Sequence, residues 1–433
     1  MTSYGGLVLL QALVGRLQLK DRLRACFSHL AVAPIFGHHL VVLLLVVHLF
    51  LGYREFREAR YYQDDPLLRR LLGLTRLPDV ATICRALGQA DPRSVAKVGV
   101  LSRQLVRDRL YQLELARLTL DFDGSVLHTS RHAEGSAVGY CKAKKGARSY
   151  YPLFCTVAQT GQVFDVLHRA GNVHDSRGAA AFATTCLAQA RAIRPDAQLE
   201  VRLDSAFFSE AMITTLGGRG RGVHAVRPFE RFVELKGRIE HRRRWRRINA
   251  ELAYAELAWT PKSWTSAARF VCVRKVVRAR QPGPLQLDLF VPQRTGYEFK
   301  VIATNKTVSA ATILAFHNGR GAQEGLFAQL KTQCQLDYVP CRRLVANQLF
   351  LHAAVLAHNL GRELQMIAQP RERATTPTRM ALWSFRELQT LRRTLVLRAG
   401  RLMRPKGELT LTLSGNADVQ AEFFHYLAAL KAA

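Results

Sequence analysis

The stretch from His317 to Lys331, H-N-G-R-G-A-Q-E-G-L-F-A-Q-L-K, sets His317, Arg320, Glu324 and Lys331 at offsets of three, four and seven. In a helix all four fall on one stripe. A solvated helix face carrying a Glu to Lys pair has the same appearance, and two upstream aspartates give the stripe its chemical interest. Asp123 in L-D-F-D-G-S-V-L and Asp204 in L-E-V-R-L-D-S-A-F-F each close a short apolar run that reads as a buried strand. Two strand-end aspartates and a helical glutamate are three hard oxygen donors without histidine or thiolate. That set suits two divalent cations, Mg2+ or Mn2+ in preference to zinc. Two such ions about 3.5 to 4 Å apart activate an attacking oxygen, stabilise a leaving oxygen and neutralise a phosphoryl group between them. Arg320 and Lys331 would then contact flanking phosphates. Asp121 rivals Asp123, since residues two apart on a strand face the same way; Asp123 is favoured by its place at the strand end beside Gly124. Asp165 and Asp175 read as surface or capping groups.

The composition points to a polyanionic partner. Of 433 residues, 63 are Lys or Arg against 33 Asp or Glu, a formal net charge of +30. The basic residues are spread along the chain, which favours nucleic acid over a membrane surface. At 48% hydrophobic residues the chain can bury sizeable cores, and its length suggests about two or three domains. The eight cysteines form no C-x-x-C pair and read as reduced, mostly buried thiols, consistent with a cytoplasmic protein. No basic region, apolar core and cleavage site stand in the order of a secretory signal. The run Leu40 to Leu51 is short of the roughly twenty residues that span a bilayer, contains His48, and reads as a buried core helix.

The elements that must position the acids follow in order. Residues 1–115 read as helical, a candidate DNA-binding region. Asp65-Pro66 and Asp91-Pro92 pair an N-cap acid with proline at the first helical position. Helices ending at Gly73 and restarting near Asp79 could form a helix-turn-helix, with Thr82 and Arg85 exposed on the second; a plain helical bundle fits equally. Residues 116–227 read as three antiparallel strands, a helix and two crossover strands, an α/β order compatible with a ribonuclease-H-like core in which the strands of Asp123 and Asp204 are neighbours. Residues 228–296 read as a β-rich insertion subdomain. It holds the run H-R-R-R-W-R-R, in which Arg242, Arg243, Arg244 and Trp245 are candidate DNA contacts, and also Trp259 and Trp264. Aromatic rings among arginines suit stacking on unpaired bases, and a small β core explains the tryptophans nearly as well. Within it Gln281 to Pro284 reads as a turn and L-D-L-F-V as a strand. Residues 297–369 return to the core with a strand, the helix of Glu324 and a buried helix, and residues 370–433 form a basic C-terminal region.

With these residues in place the chain resembles a known family. D-G-S at Asp123, L-D-S-A-F-F at Asp204 and R-x-x-x-E-x-x-x-x-x-x-K from Arg320 through Lys331 are similar to the DDE transposases of bacterial insertion sequences. With G-N-V-H-D-S and L-D-Y-V-P-C-R-R, the chain resembles the thirteen-eighty type of the hairpin-forming branch over roughly residues 118–360, with His317 at the position of the signature tyrosine, where an imidazole can still contact a DNA phosphate. The resemblance implies a ribonuclease-H-like catalytic core with Asp123, Asp204 and Glu324 as ligands of two Mg2+ or Mn2+ ions, and a mostly β insertion between the second and third acids. It implies a protein that binds terminal inverted repeats in double-stranded DNA, cleaves the ends, joins them to target DNA and works as a homodimer. A catalytically inactive DNA-binding remnant of such an element is the alternative.

Overall fold

The computed structural model describes residues 1–31, 35–129, 132–139, 145–174, 177–204, 207, 209–216, 221–227, 233–262, 264, 269–276, 297–372 and 382–432. The turn expected at Gln281 to Pro284, the strand L-D-L-F-V and Asp175 lie outside them. The chain divides into two units, one of residues 1–115, 124–174 and 323–433, the other of residues 116–123 and 175–322.

The first unit is mainly helical, and its helix starts are those the caps dictate. Asp65 accepts from the Leu67 and Leu68 amides, Asp79 from Thr82 and Asp91 from Ser94, opening helices Pro66–Leu72, Val80–Gln89 and Pro92–Gln112. Gly73 closes the first of these at φ +70°, a left-handed angle that glycine reaches without the Cβ penalty. The apolar run expected as a core helix is helix His38–Phe50, buried on nearly every side. No helix among the described residues is long and apolar enough to cross a membrane. Helix His38–Phe50 packs on the 25-residue helix Leu344–Ala368, which is itself buried almost all round. Antiparallel strands Leu153–Val157 and Gln162–Leu167 form a hairpin in this unit. Asn359 clamps it to the long helix, accepting from the Val163 amide at 2.9 Å and donating to the Val163 carbonyl at 2.8 Å.

One expectation is corrected here. Asp165 is no surface group: it lies on the hairpin, paired with Arg103, with its side chain 11% exposed, and burial pushes its carboxyl pKa up. The basic C-terminal region is folded over residues 382–432. It folds into helix Leu388–Leu391, a turn of π-helix Arg392–Val396, strands Gly400–Met403 and Thr410–Leu413, and helix Ala417–Ala432. Its anchor is Arg392, buried, donating to the carbonyls of Leu49, Phe50 and Gln333. Those carbonyls are at the C-terminal ends of helices His38–Phe50 and Gly321–Gln333, where the helix dipoles favour a cation.

His48 and His358 are buried in this unit and neutral. The Tyr62 hydroxyl lies 2.6 Å from His48 Nδ1, and His358 Nε2 donates to the Gly161 carbonyl at 2.9 Å. Burial lowers their pKa values to about 4 and about 3. Unfolding frees both to take up protons below about pH 6.5, so the stability they carry is complete above that pH and is lost as pH falls toward 4 and then 3. Urea titrations should show stability falling between pH 6.5 and 4 by up to about 3 kcal/mol per pH unit for the two groups together. His358→Gln, which retains the hydrogen bond to Gly161, should lower the measured slope by about 1.4 kcal/mol per pH unit, the buried His168, His352 and His317 keeping their own contributions; an unchanged slope would reject the assignment.

The second unit is built on a sheet. Strands Arg117–Gly124, Gln198–Leu203 and Arg221–Arg227 are parallel neighbours, registered Phe122 to Leu203 and Leu203 to Ala225. This is the pairing of the Asp123 and Asp204 strands that a ribonuclease-H-like layer requires. Strand Tyr297–Thr304 runs antiparallel beside Arg221–Arg227, followed outward by Arg269–Val276, Leu252–Leu257 and the short Arg246–Arg247. The β-rich segment therefore extends the same sheet. On one face it packs Leu257, Trp259, Phe270, Cys272 and Val301 with Leu235 and Ile239 of helix Val233–Glu240.

Candidate active site: two strand-end aspartates under an arginine

The site begins with alternation. Along strand Arg117–Gly124, Leu118, Leu120 and Phe122 are fully buried on one face, which leaves Thr119, Asp121 and Asp123 on the other. Strand Gln198–Leu203 repeats the pattern with Leu199, Val201 and Leu203 against Glu200 and Arg202, and Asp204 follows it. Parallel register turns the two polar faces into one ladder. Thr119 donates to Glu200 at 2.9 Å, and Glu200 also pairs with Lys306 and with Arg117. The next rung is Asp121 with Arg202, a two-pronged ion pair at 2.6 Å for Nε to Oδ1 and 2.6 Å for Nη2 to Oδ2. Burial pushes the Asp121 carboxyl pKa up, opposed by the Arg202 and Arg320 guanidinium groups. Both Asp121 oxygens are engaged by Arg202, and Asp121 is 2% exposed.

The top rung is the candidate site. Asp123 and Asp204 face one guanidinium: Arg320 Nη1 is 3.0 Å from Asp123 Oδ2, and Arg320 Nη2 is 3.8 Å from Asp204 Oδ1. The Asp123 side chain is 19% exposed and that of Asp204 37%, so solvent reaches both.

Arg320 is placed by the element before it. Ser309 caps helix Ala310–Asn318, and the Phe316 carbonyl at its end accepts from Arg202 Nη1 at 3.0 Å. The Phe316 ring receives two cations, Arg202 at 5.2 Å and Lys306 Nζ at 4.1 Å from its centroid. The chain then turns at Gly319 and Arg320 before helix Gly321–Gln333 begins, with the Arg320 amide bonded three residues back to His317 and that of Ala322 to Gly319. A Cβ at Gly319 would stand 2.3 Å from Arg202 Nη1, a guanidinium that Asp121 and Phe316 prevent from retreating.

This turn corrects the single helical stripe expected from spacing. His317 ends one helix; Glu324 and Lys331 ride on the next. His317 is 3% exposed, and its Nδ1 has no hydrogen-bond partner among the described residues. Burial, with the positive charges of Lys300, Arg320 and Arg202, lowers its pKa to about 3, so the ring is neutral. Glu324 is exposed, on the side of its helix opposite the buried Gln323, Leu326, Phe327 and Leu330. Gln323 donates to Thr156 at 3.0 Å and Phe327 meets Phe154 edge-on at 5.2 Å, fixing this helix to the hairpin of the first unit.

Among the described residues no three His, Cys, Asp or Glu side chains form a group able to hold a metal ion. The donors at Asp123 and Asp204 nevertheless suit a hard divalent cation: they are carboxylates only, partly open to solvent, and already turned toward a positive charge.

In the β-rich segment Arg242, Arg243 and Arg244 are exposed. Trp245 is half-buried, its Nε1 donating to the Arg242 carbonyl at 2.9 Å, its ring against Phe299 and under Arg274 at 4.8 Å. Trp259 is buried against Phe270, and Trp264 packs on the same ring. The ladder of Asp121, Arg202 and Glu200 was not found from the sequence, although the strict alternation in T-L-D-F-D and L-E-V-R-L-D carries the signal.

The chain is mixed α/β, with acids at the ends of adjacent parallel strands. More narrowly, the chain belongs to the family described as transposase DDE domain group 1, whose model matches residues 1–433. Membership implies a metal-dependent DNA transposase. No curated protein matches the chain. Among solved structures it is similar to the piggyBac transposase synaptic complex with hairpin DNA, at 11% identity over 83% of this chain and 74% of that one, with a TM-score of 0.43.

Proposed function

We propose that this chain is the transposase of a bacterial insertion sequence, binding the element's terminal inverted repeats as a homodimer, cleaving the DNA ends and joining them to target DNA. The observation that carries this reading is the pair of strand-end carboxylates, Asp123 and Asp204, sharing one cation on a parallel sheet. In it Asp123, Asp204 and Glu324 are the ligands of two Mg2+ or Mn2+ ions. When bound, such ions supply the Lewis acidity that activates water and stabilises the leaving oxygen. The chain's own residues do the rest: the buried Asp121 and Arg202 pair keeps the two aspartates at fixed height, and Arg320 and Lys331 take phosphates beside the scissile bond. His317, buried and neutral, lies at the end of the helix before the turn.

Residues 1–115 and the arginines at 242–244 serve as DNA-binding surface in this reading, and the strongly positive charge of the chain supports it. Purified protein incubated with labelled element ends and magnesium should nick them at the element boundary, and with calcium should bind without cutting. Binding without cutting in either metal would instead identify a catalytically inactive remnant. Replacing Arg242, Arg243 and Arg244 together by alanine should reduce the slope of log affinity against log salt by about 2.7, that is, about 0.9 for each phosphate no longer neutralised. A slope equal to that of the unaltered protein would take these arginines off the DNA.

A further inference from the structure

We infer that Arg320 is a built-in competitor for the cation site, a side chain that occupies the position between Asp123 and Asp204 and has to leave it before a divalent ion is held there. The inference rests on the reading of those two aspartates as metal ligands. Its ground is the geometry of the guanidinium: one Nη lies 3.0 Å from Asp123 and the other 3.8 Å from Asp204, so a single fork spans both carboxylates. The Arg320 side chain is only 13% exposed and thus lies in the ladder. A guanidinium stays charged at any pH the protein survives, and a divalent ion entering within a few ångströms of it meets undiminished like-charge repulsion. The neighbours oppose any retreat inward, because Arg202 is fixed under the turn by Asp121 and the Phe316 carbonyl. The way out for Arg320 is toward solvent, which already reaches both aspartates. One residue would thereby hold the two acids together while the site is empty of metal and release them when a stronger cation arrives.

The test reads metal affinity directly. Mn2+ is titrated into the full-length protein without DNA, and free Mn2+ is followed by its electron paramagnetic resonance signal. Arg320→Gln should bind Mn2+ about tenfold more tightly than the unaltered protein, since one competing charge has gone. Arg320→Lys, a point charge that cannot span both carboxylates, should fall between them. The thermal midpoint without metal should drop in Arg320→Gln, and the rise on adding Mn2+ should be larger than in the unaltered protein. Equal or weaker Mn2+ binding by Arg320→Gln, or no binding by either variant, overturns the inference. A doubly substituted Asp123→Asn, Asp204→Asn protein separates the two levels: if it binds Mn2+ as well as the unaltered chain does, the assignment of these aspartates as ligands has failed, and not merely the role of Arg320.

Discussion

Arg202→Ala should cost about 3 to 5 kcal/mol of folding stability, the largest loss expected from any single truncation on the polar face of the sheet. The substitution removes both prongs of the pair to Asp121 and the donor to the Phe316 carbonyl, and takes from a carboxylate, 2% exposed, the closest charge that offsets its desolvation. The loss has a pH signature. Without Arg202, burial raises the Asp121 pKa unopposed by its closest cation, so the folded variant takes up a proton that the unfolded chain binds only near its ordinary value of about 3.9. The folded state then binds more protons than the unfolded one, and the deficit shrinks as pH falls from 8 toward 5. Chemical denaturation at several pH values measures both effects. The double variant Asp121→Leu, Arg202→Met should recover most of the stability, since an apolar pair of similar volume needs no compensation. A deficit below about 1 kcal/mol at pH 8 would mean the pair is surface-like and the ladder does not fix the heights of Asp123 and Asp204.

The reach of the sequence is clearest where one residue type has one physical use. Asp65, Asp79 and Asp91 cap helices because an aspartate before a proline or an apolar period has little else to do. The run at residues 40–51 had to be buried once it was too short to span a bilayer. The parallel strands were legible from their apolar runs, and their ends from Asp123 and Asp204. What the sequence withheld depended on partners far along the chain. Arg202 is indistinguishable from a surface arginine until Asp121, 81 residues earlier, is registered beside it. Arg392 reads as tail, yet the three carbonyls that bury it belong to residues 49, 50 and 333. The four-residue stripe failed for a local reason. Spacing alone assumed one helix, and glycines at 319 and 321 allow a turn, which the close approach of Arg202 to Gly319 fixes in place.

Asp123→Ala, Asp204→Ala and Glu324→Gln should each reduce cleavage of element ends on the order of a thousandfold or more, about 4 kcal/mol of activation free energy, with DNA binding in calcium retained. The three are expected to differ in what else they change. Asp123 accepts from Arg320 at 3.0 Å, so its loss also releases that guanidinium; Asp204, at 3.8 Å, loses a weaker partner. Stability should therefore fall slightly more in Asp123→Ala than in Asp204→Ala, and both changes should stay well short of that for Arg202→Ala, because these side chains are partly solvated. Glu324, exposed on a helix whose other side is buried, should change stability hardly at all while losing activity in full. That combination, a surface glutamate whose amide isostere folds normally and cuts nothing, is one a purely structural acid does not produce. Single-turnover cleavage, with calcium-supported binding measured in parallel, decides it, and near-normal cutting by Glu324→Gln would remove this residue from the proposed ligand set while leaving the two strand-end aspartates to be judged on their own variants.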